Sequence, residues 1–349
     1  MAASGARLAW IWKFPVPPAA PETIRFHEEE SNARNPGSRR PPRAALARGP
    51  WRGPGERGVT AVRRAYDETV GGTWAETAGQ AEVPLAGGDV TEGVVRVGDT
   101  VRRPVGPHSP LVHALLAHLE AAGFEGAPRF LGTDAAGREV LSYVDGEVAG
   151  RPRPPWIADE GRLASVGRLV RAYDDAAASF TPPPGARPGP PPAGPPGIPP
   201  APAYPPELIG HVDITPENVV FRDGRAHALI DFDLARPATR ADEVFNAMLW
   251  WGPLCDPRDA DPLLRHLDVP RRARVLADSY GLSGTDRERI MEVAVLRNRR
   301  SWYLMKARAQ ALGGGWQRMW DEGVGDVIKR REAWLDRNAA ALTAALTAP

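Results

Sequence analysis

One stretch constrains the fold of this chain more than any other: residues 211–233, His-Val-Asp-Ile-Thr-Pro-Glu-Asn-Val-Val-Phe-Arg-Asp-Gly-Arg-Ala-His-Ala-Leu-Ile-Asp-Phe-Asp. Residues 219–221 and 226–230 are rich in β-formers, and Arg222-Asp223-Gly224-Arg225 between them is a hairpin signal. A hairpin of this length brings Asn218, at the start of one strand, close to Asp231, at the end of the other. Asp213 lies five residues before Asn218, in the loop that feeds the hairpin. Two carboxylates and an amide oxygen therefore converge at one end of a β-ribbon. Hard oxygen donors of this kind suit Mg²⁺, which takes few protein ligands and completes its shell with water and phosphate oxygens. A carboxylate not needed by the metal can accept a proton from a hydroxyl.

Composition removes several alternatives. The 349 residues carry 44 Lys+Arg against 43 Asp+Glu, a net charge of +1. That balance gives no global reason to bind nucleic acid or an acidic membrane surface. Only 3 of the 44 cations are lysines, namely Lys13, Lys306 and Lys329. A phosphate-loop lysine or a Schiff-base lysine is thus excluded between residues 14 and 305. The single cysteine, Cys255, allows no internal disulfide and no cysteine-rich metal site, and fits a reducing, cytoplasmic compartment. No apolar run is long enough to span a membrane.

Residues 1–80 hold 12 Lys+Arg and 8 Asp+Glu among scattered Pro and Gly, with no usable helix or strand period, and read as a disordered leader. Order is expected from about Glu82. Val94, Val95 and Val97 form a strand-like run, Gly98-Asp99 reverses the chain, and Val101-Arg102-Arg103 starts the next strand, which Pro104 ends. Leu111, Leu115, Leu116 and Leu119 predict a helix over 110–122 that Gly123 stops. Residues 130–131 and 139–144 read as strands around a turn. A helix is expected over 158–180. Residues 181–206 contain 14 Pro in 26 positions, which forbids helix or central strand and reads as a loop or polyproline insertion. Beyond 240 the pattern is helical, with helices expected over 240–251, 258–266, 270–281, 284–312 and 315–346. The fold class is α+β: a small β-rich lobe with one helix, then a helical lobe.

The pattern His211-x-Asp213-x-x-x-x-Asn218, followed by Ile230-Asp231-Phe232, resembles the catalytic core of the aminoglycoside phosphotransferase branch of the protein-kinase-like superfamily. The resemblance covers about 82–345. It implies a bilobal kinase-like fold, with a nucleotide-binding N-lobe over 81–144 and a catalytic and substrate-binding C-lobe over 145–349. It implies an enzyme that moves the γ-phosphate of ATP or GTP to a hydroxyl of a small molecule, with no nucleic acid or membrane partner. In that reading Asp213 is the catalytic base, and Asn218 and Asp231 hold Mg²⁺ on the nucleotide phosphates. His211 fixes the loop and Asp242 braces the region. Gly87 and Gly88 stand where the family's phosphate loop would be. The clamp on the phosphates, a lysine in kinases, must be Arg102 or Arg103. Strand alternation turns only one of them inward, and the Arg-Arg-Pro ending favours Arg102. Tyr143 and Val144 sit in the hinge and would meet the base through their backbone.

Two departures from the family pattern stand out. Val212 replaces the usual Gly. His113 falls where the helix glutamate that pairs with the clamp is expected, so the cation is expected to lack its usual partner. That absence supports a second reading, a nucleotide-binding pseudokinase or an immunity-type protein that sequesters its ligand. The acceptor is not legible in the sequence. Asp242, Glu243, Asp256, Asp259 and Asp261 would favour a cationic one, such as an aminoglycoside.

Overall fold

Val83–Pro84 (β1), Val95–Val97 (β2) and Thr100–Arg103 (β3) run antiparallel, with β2 and β3 joined through Gly98-Asp99. The computed structural model describes residues 81–85, 93–188, 195–202 and 204–348. The expected leader over 1–80, and Gly87 and Gly88 of the glycine-rich turn, lie outside the described residues. Phe130–Thr133 (β4) and Glu139–Ser142 (β5) complete a five-stranded antiparallel sheet of order β1-β2-β3-β5-β4. Ser109–Ala121 (α1) starts with a proline in its first turn and lays Leu115, Leu116 and Leu119 on the hydrophobic core that includes Phe130 and Leu141. Each such side chain contributes about 1.5–3 kcal/mol when removed from water.

The rest is mainly helical. A short 3-10 helix, Pro155–Ala158, leads into Glu160–Ala177 (α2), whose first turn is capped by Asp159 accepting from Arg162 N at 2.7 Å. Two ribbons follow. Leu208–Gly210 (β6) pairs with Arg236–Ala238 (β9), and Val219–Arg222 (β7) pairs with Arg225–Leu229 (β8). The tip of the second ribbon is the expected two-residue turn. Asp223 and Gly224 have φ of +50° and +71°, the mirror-image turn that matches strand twist. Then come Arg240–Trp251 (α3), Val269–Tyr280 (α4), Gly284–Leu312 (α5), Gly314–Asp321 (α6) and Val324–Thr347 (α7). The most extensive helix–helix contact is between α5 and α7. Among the described residues no helix is long and apolar enough to cross a membrane.

Two expectations fail here for identifiable reasons. Residues 258–266 form turns, not a helix. Asp256 Oδ1 accepts from Arg258 N at 3.1 Å and Asp261 Oδ1 from Leu263 N at 2.9 Å, so side chains take the backbone donors a helix would need, and Pro257 and Pro262 supply none. The helix expected over 315–346 is broken at Gly323, whose φ of +91° no helix accommodates.

One buried arginine ties the helices together. Arg272, on α4, donates to Trp251 O at 3.0 and 2.9 Å, to Ala158 O at 2.9 Å and to Ile157 O at 3.2 Å. It thereby satisfies carbonyls at the C-terminal ends of α3 and the 3-10 helix, which have no partner within their own helices.

Candidate active site

The loop from His211 to Asn218 is gripped from behind by α3. Glu243 accepts from His211 N and Val212 N, each at 2.9 Å, one on each carboxylate oxygen. Three residues on, and so on the same helix face, Asn246 accepts from Ile214 N at 2.6 Å and donates to Val212 O at 2.9 Å. Trp251 Nε1 donates to Ile214 O at 2.9 Å. This grip explains the Val212 departure. Val212 has φ +50°, a left-handed conformation glycine would adopt freely and valine resists. Strain of that kind costs on the order of 1–3 kcal/mol and persists where the surroundings over-determine it. Burial pushes the Glu243 carboxyl up to about 7, against the pull of the two N–H groups it accepts from.

His211 is fully buried, with Nε2 3.0 Å from Ile230 O, which ties the loop to the far end of the hairpin. Asp213 is 1% exposed. Asn218 Nδ2 donates to Asp213 O at 2.9 Å and to Asp213 Oδ2 at 2.7 Å. The Asn218 carbonyl accepts from Ile230 N at 2.9 Å, which places Asn218 beside the residue preceding Asp231. Asp231 is itself left-handed, φ +66°, and its carboxylate remains partly exposed. Asp213 and Asn218 are thus in direct contact, and the backbone bond to Ile230 brings the Asp231 end of the hairpin beside Asn218.

The cation beside them is Arg103. Its Nη1 lies 3.4 Å from Asp231 Oδ1, and its Nη2 is bonded to Asp233. Burial works against this charge, but Asp233, Asp231 and Glu139 outweigh it and hold the guanidinium more firmly protonated than usual. Arg102, the favoured candidate, lies on the opposite face of β3, where its charge is felt by Glu82. The preference between the two is therefore corrected.

The expectation that the cation lacks a partner is also overturned. Glu139 Oε1 lies 2.8 Å from Arg103 Nε. Glu139 comes from β5, directly opposite Arg103 in the strand register, not from a helix. His113 stands behind it, with Nε2 2.5 Å from Glu139 Oε2 and the ring stacked on Phe130 at a centroid distance of 3.7 Å.

Tyr143 N donates to Asp99 O at 2.8 Å, and Arg96 lies 3.6 Å over the Tyr143 ring. After Val144 the chain is stitched to β7. Glu147 and Phe221 exchange backbone bonds of 2.9 and 2.7 Å, three residues past Asn218. Gly146 makes this possible, because a Cβ there would lie 2.5 Å from Phe221 O. Asp242, expected to brace the region, instead completes the capping box of α3 with Thr239 and takes an ion pair from Arg297. The bracing falls to its neighbour Glu243.

The family described as the phosphotransferase enzyme family, APH, matches residues 197–277. The trifolitoxin immunity protein of Rhizobium leguminosarum bv. trifolii is 37% identical over 211 residues, which span 59% of this chain and 76% of that protein. This chain belongs to the APH phosphotransferase family. Its fold is that of solved APH structures. The GDP complex of wild-type aminoglycoside 2'-phosphotransferase-IIIa superposes with a TM-score of 0.50 at 14% identity, covering 77% of this chain and 98% of that one. The GDP complex of a point mutant of that enzyme gives 0.50 at 14% identity, covering 80% and 99%. The stretch matched to the APH family includes the whole loop and hairpin, and also Glu243 and Asn246 of α3.

Three residues of this arrangement escape a reading of the sequence. Glu139 looks like an ordinary strand residue, and its one signal is a charge set beside Val140 and Leu141 in a segment otherwise fit for burial. Glu243 reads as one more acidic residue of a helical lobe. Asn246 carries no signal beyond its spacing from Glu243.

Proposed function

We propose that this protein transfers the γ-phosphate of ATP or GTP to a hydroxyl of a small molecule. The observation that carries this reading is the meeting of Asp213, Asn218 and Asp231 at one end of a ribbon, beside an arginine held by Glu139. Asp213 is the base toward the acceptor hydroxyl, a role worth roughly 10²–10⁴-fold in rate. Asn218 Nδ2 holds the Asp213 carboxylate oriented through its 2.7 Å bond. The donor set suits Mg²⁺: one carboxylate on Asp231 and one amide oxygen on Asn218, hard ligands few enough to leave the rest of the shell to water and phosphate. Bound there, Mg²⁺ would neutralise phosphate charge and draw the terminal phosphoryl group into line. Arg103 offers a planar fork to the α and β phosphates. Tyr143 and Val144 present backbone groups to the base, with residues 81–144 as the nucleotide lobe and 145–349 as the catalytic lobe.

Asp213→Asn is expected to abolish Mg·ATP turnover over a panel of hydroxylated compounds while leaving nucleotide affinity within about twofold, because the group lost acts on the acceptor. Equal turnover in wild type and variant would refute the assignment.

A second reading rests on the 37% identical relative, which is named an immunity protein. On that reading the chain protects against a toxin by holding it, with no phosphate transferred. Mg-dependent consumption of ATP or GTP with a phosphorylated product by mass spectrometry separates the two. The missing clamp partner no longer supports the second reading, since Glu139 supplies it.

A further inference from the structure

The five acidic residues that would have favoured a cationic acceptor are all engaged elsewhere. Asp242 pairs with Arg297 and caps α3, and Glu243 is spent on the loop. Asp256 pairs with Arg258, Asp259 with Arg330, and Asp261 caps its own turn. Across the β6–β9 ribbon from the start of the Asp213 loop the residue is an arginine.

Arg236 lies on β9, opposite Gly210 in the register, and Gly210 immediately precedes His211. Its guanidinium feels Glu243, Asp242 and Asp213 as carboxylates and Arg297 as a like charge. Arg297, Arg300 and Arg308 are on α5. Positions 297 and 300 are neighbours on a helix surface, and 297 and 308 differ by about 20° of helix rotation, so the three share one face. Arg300 donates to Pro199 O, so this part of the proline-rich insertion meets α5. Arg308 lies 4.5 Å over the Trp316 ring, and its Nε is buried with no hydrogen-bond partner among the described residues.

Among the described residues no carboxylate is within ion-pairing distance of Arg236, Arg300 or Arg308, whereas Arg297 on the same helix face meets Asp242. Burial and Arg297 push Arg236 down to about 10, and burial and Arg236 push Arg308 down to about 10. Crowding like charges at half-buried positions is costly, and an anion would relieve it.

Resting on the phosphotransferase reading, we propose that the acceptor carries an anionic group, a phosphate or a carboxylate, which Arg236 and Arg308 hold while its hydroxyl faces Asp213. Planar guanidinium forks match either group.

The test is calorimetric titration of the full chain with inorganic phosphate, with acetate, and separately with Mg·ATP. The expected result is saturable binding of phosphate or acetate, weakened about tenfold or more in Arg236→Gln and in Arg308→Gln, the loss of one charge-assisted hydrogen bond. Mg·ATP affinity should stay within about twofold. Which anion binds more tightly tells phosphate from carboxylate. Arg236→Lys and Arg308→Lys keep the charge and guard against loss of fold, and should retain part of the affinity. Anion affinity unchanged in both Gln variants, or no saturable binding of either anion, overturns the proposal. A parallel fall in Mg·ATP affinity assigns these arginines to the nucleotide and overturns it too. If wild type binds the anion through these arginines yet never binds Mg·ATP, the anion site stands and the phosphotransferase reading falls.

Discussion

Replacing Glu139 by Gln keeps the size of the side chain and removes the charge facing Arg103 Nε. Removing one charge of a buried ion pair leaves the other uncompensated, so Mg·ATP affinity in Glu139→Gln should fall about tenfold or more as the arginine loses its orientation. The measurement is a nucleotide titration at fixed Mg²⁺, and an unchanged dissociation constant would mean that Glu139 does not position the clamp. Residue by residue, the geometry of the hairpin was legible and what packs against it was not. Asp213, Asn218 and Asp231 could be read because a short hairpin fixes their spatial relation from spacing alone. Glu139 lies 36 positions from Arg103 in the chain, and only the order of strands in the sheet, β3 beside β5, brings the two together. A helix with His113 where a glutamate was sought therefore pointed to a missing partner, when the partner was on the adjacent strand.

At the scale of elements, the loop and the helix behind it act as one unit. Glu243→Gln leaves one oxygen to accept where two N–H groups, those of His211 and Val212, now bond. A buried donor left without a partner costs about 1–3 kcal/mol, and equilibrium urea unfolding should register a loss of that size. A loss below about 0.5 kcal/mol, the scale of an ordinary surface change, would contradict the grip described above. The junction between sheet and helices has its own test. Gly146 has φ +145°, and a Cβ there would also lie 2.5 Å from Val220 Cγ1. Gly146→Ala should therefore part Glu147 from Phe221 and lower the unfolding midpoint, with faster backbone exchange at those two amides as the specific readout. The helices expected over 240–251 and 284–312 have those bounds, with Thr239 and Ser283 capping their first turns. Residues 258–266 misled for the opposite reason: their aspartates bond to nearby backbone and stabilise turns within an apolar pattern of helical appearance.

For the whole molecule, the buried carboxyls predict a pH dependence. Burial raises Asp174 well above its ordinary range and brings Glu243 to about 7. The folded chain holds these protons where the unfolded chain has released them. Their contribution to stability is therefore fully present below about 4.5, the ordinary glutamate value, and is lost as pH rises through about 7. His227, lowered by burial, works with the opposite sign nearby, so the comparison must be between wild type and Glu243→Gln. The stability of wild type relative to that variant should shrink as pH is raised from about 5 to about 8, and a growing difference would reverse the assignment. The overall plan, a β-rich part followed by helices, could be read because each element carries its own periodicity. The acceptor could not, because which side-chain charges find partners is decided only when distant elements pack, as Asp259 does with Arg330. One consequence of the sheet remains. In protein kinases the glutamate that holds the phosphate-binding cation rides on a helix, and moving that helix turns activity on and off. Here the pair is a cross-strand pair, locked by the same backbone ladder that makes the sheet. No helix displacement can part it short of unzipping β3 from β5. If Arg103 holds the nucleotide phosphates as proposed, that clamp is set by strand pairing and needs no helix movement to engage.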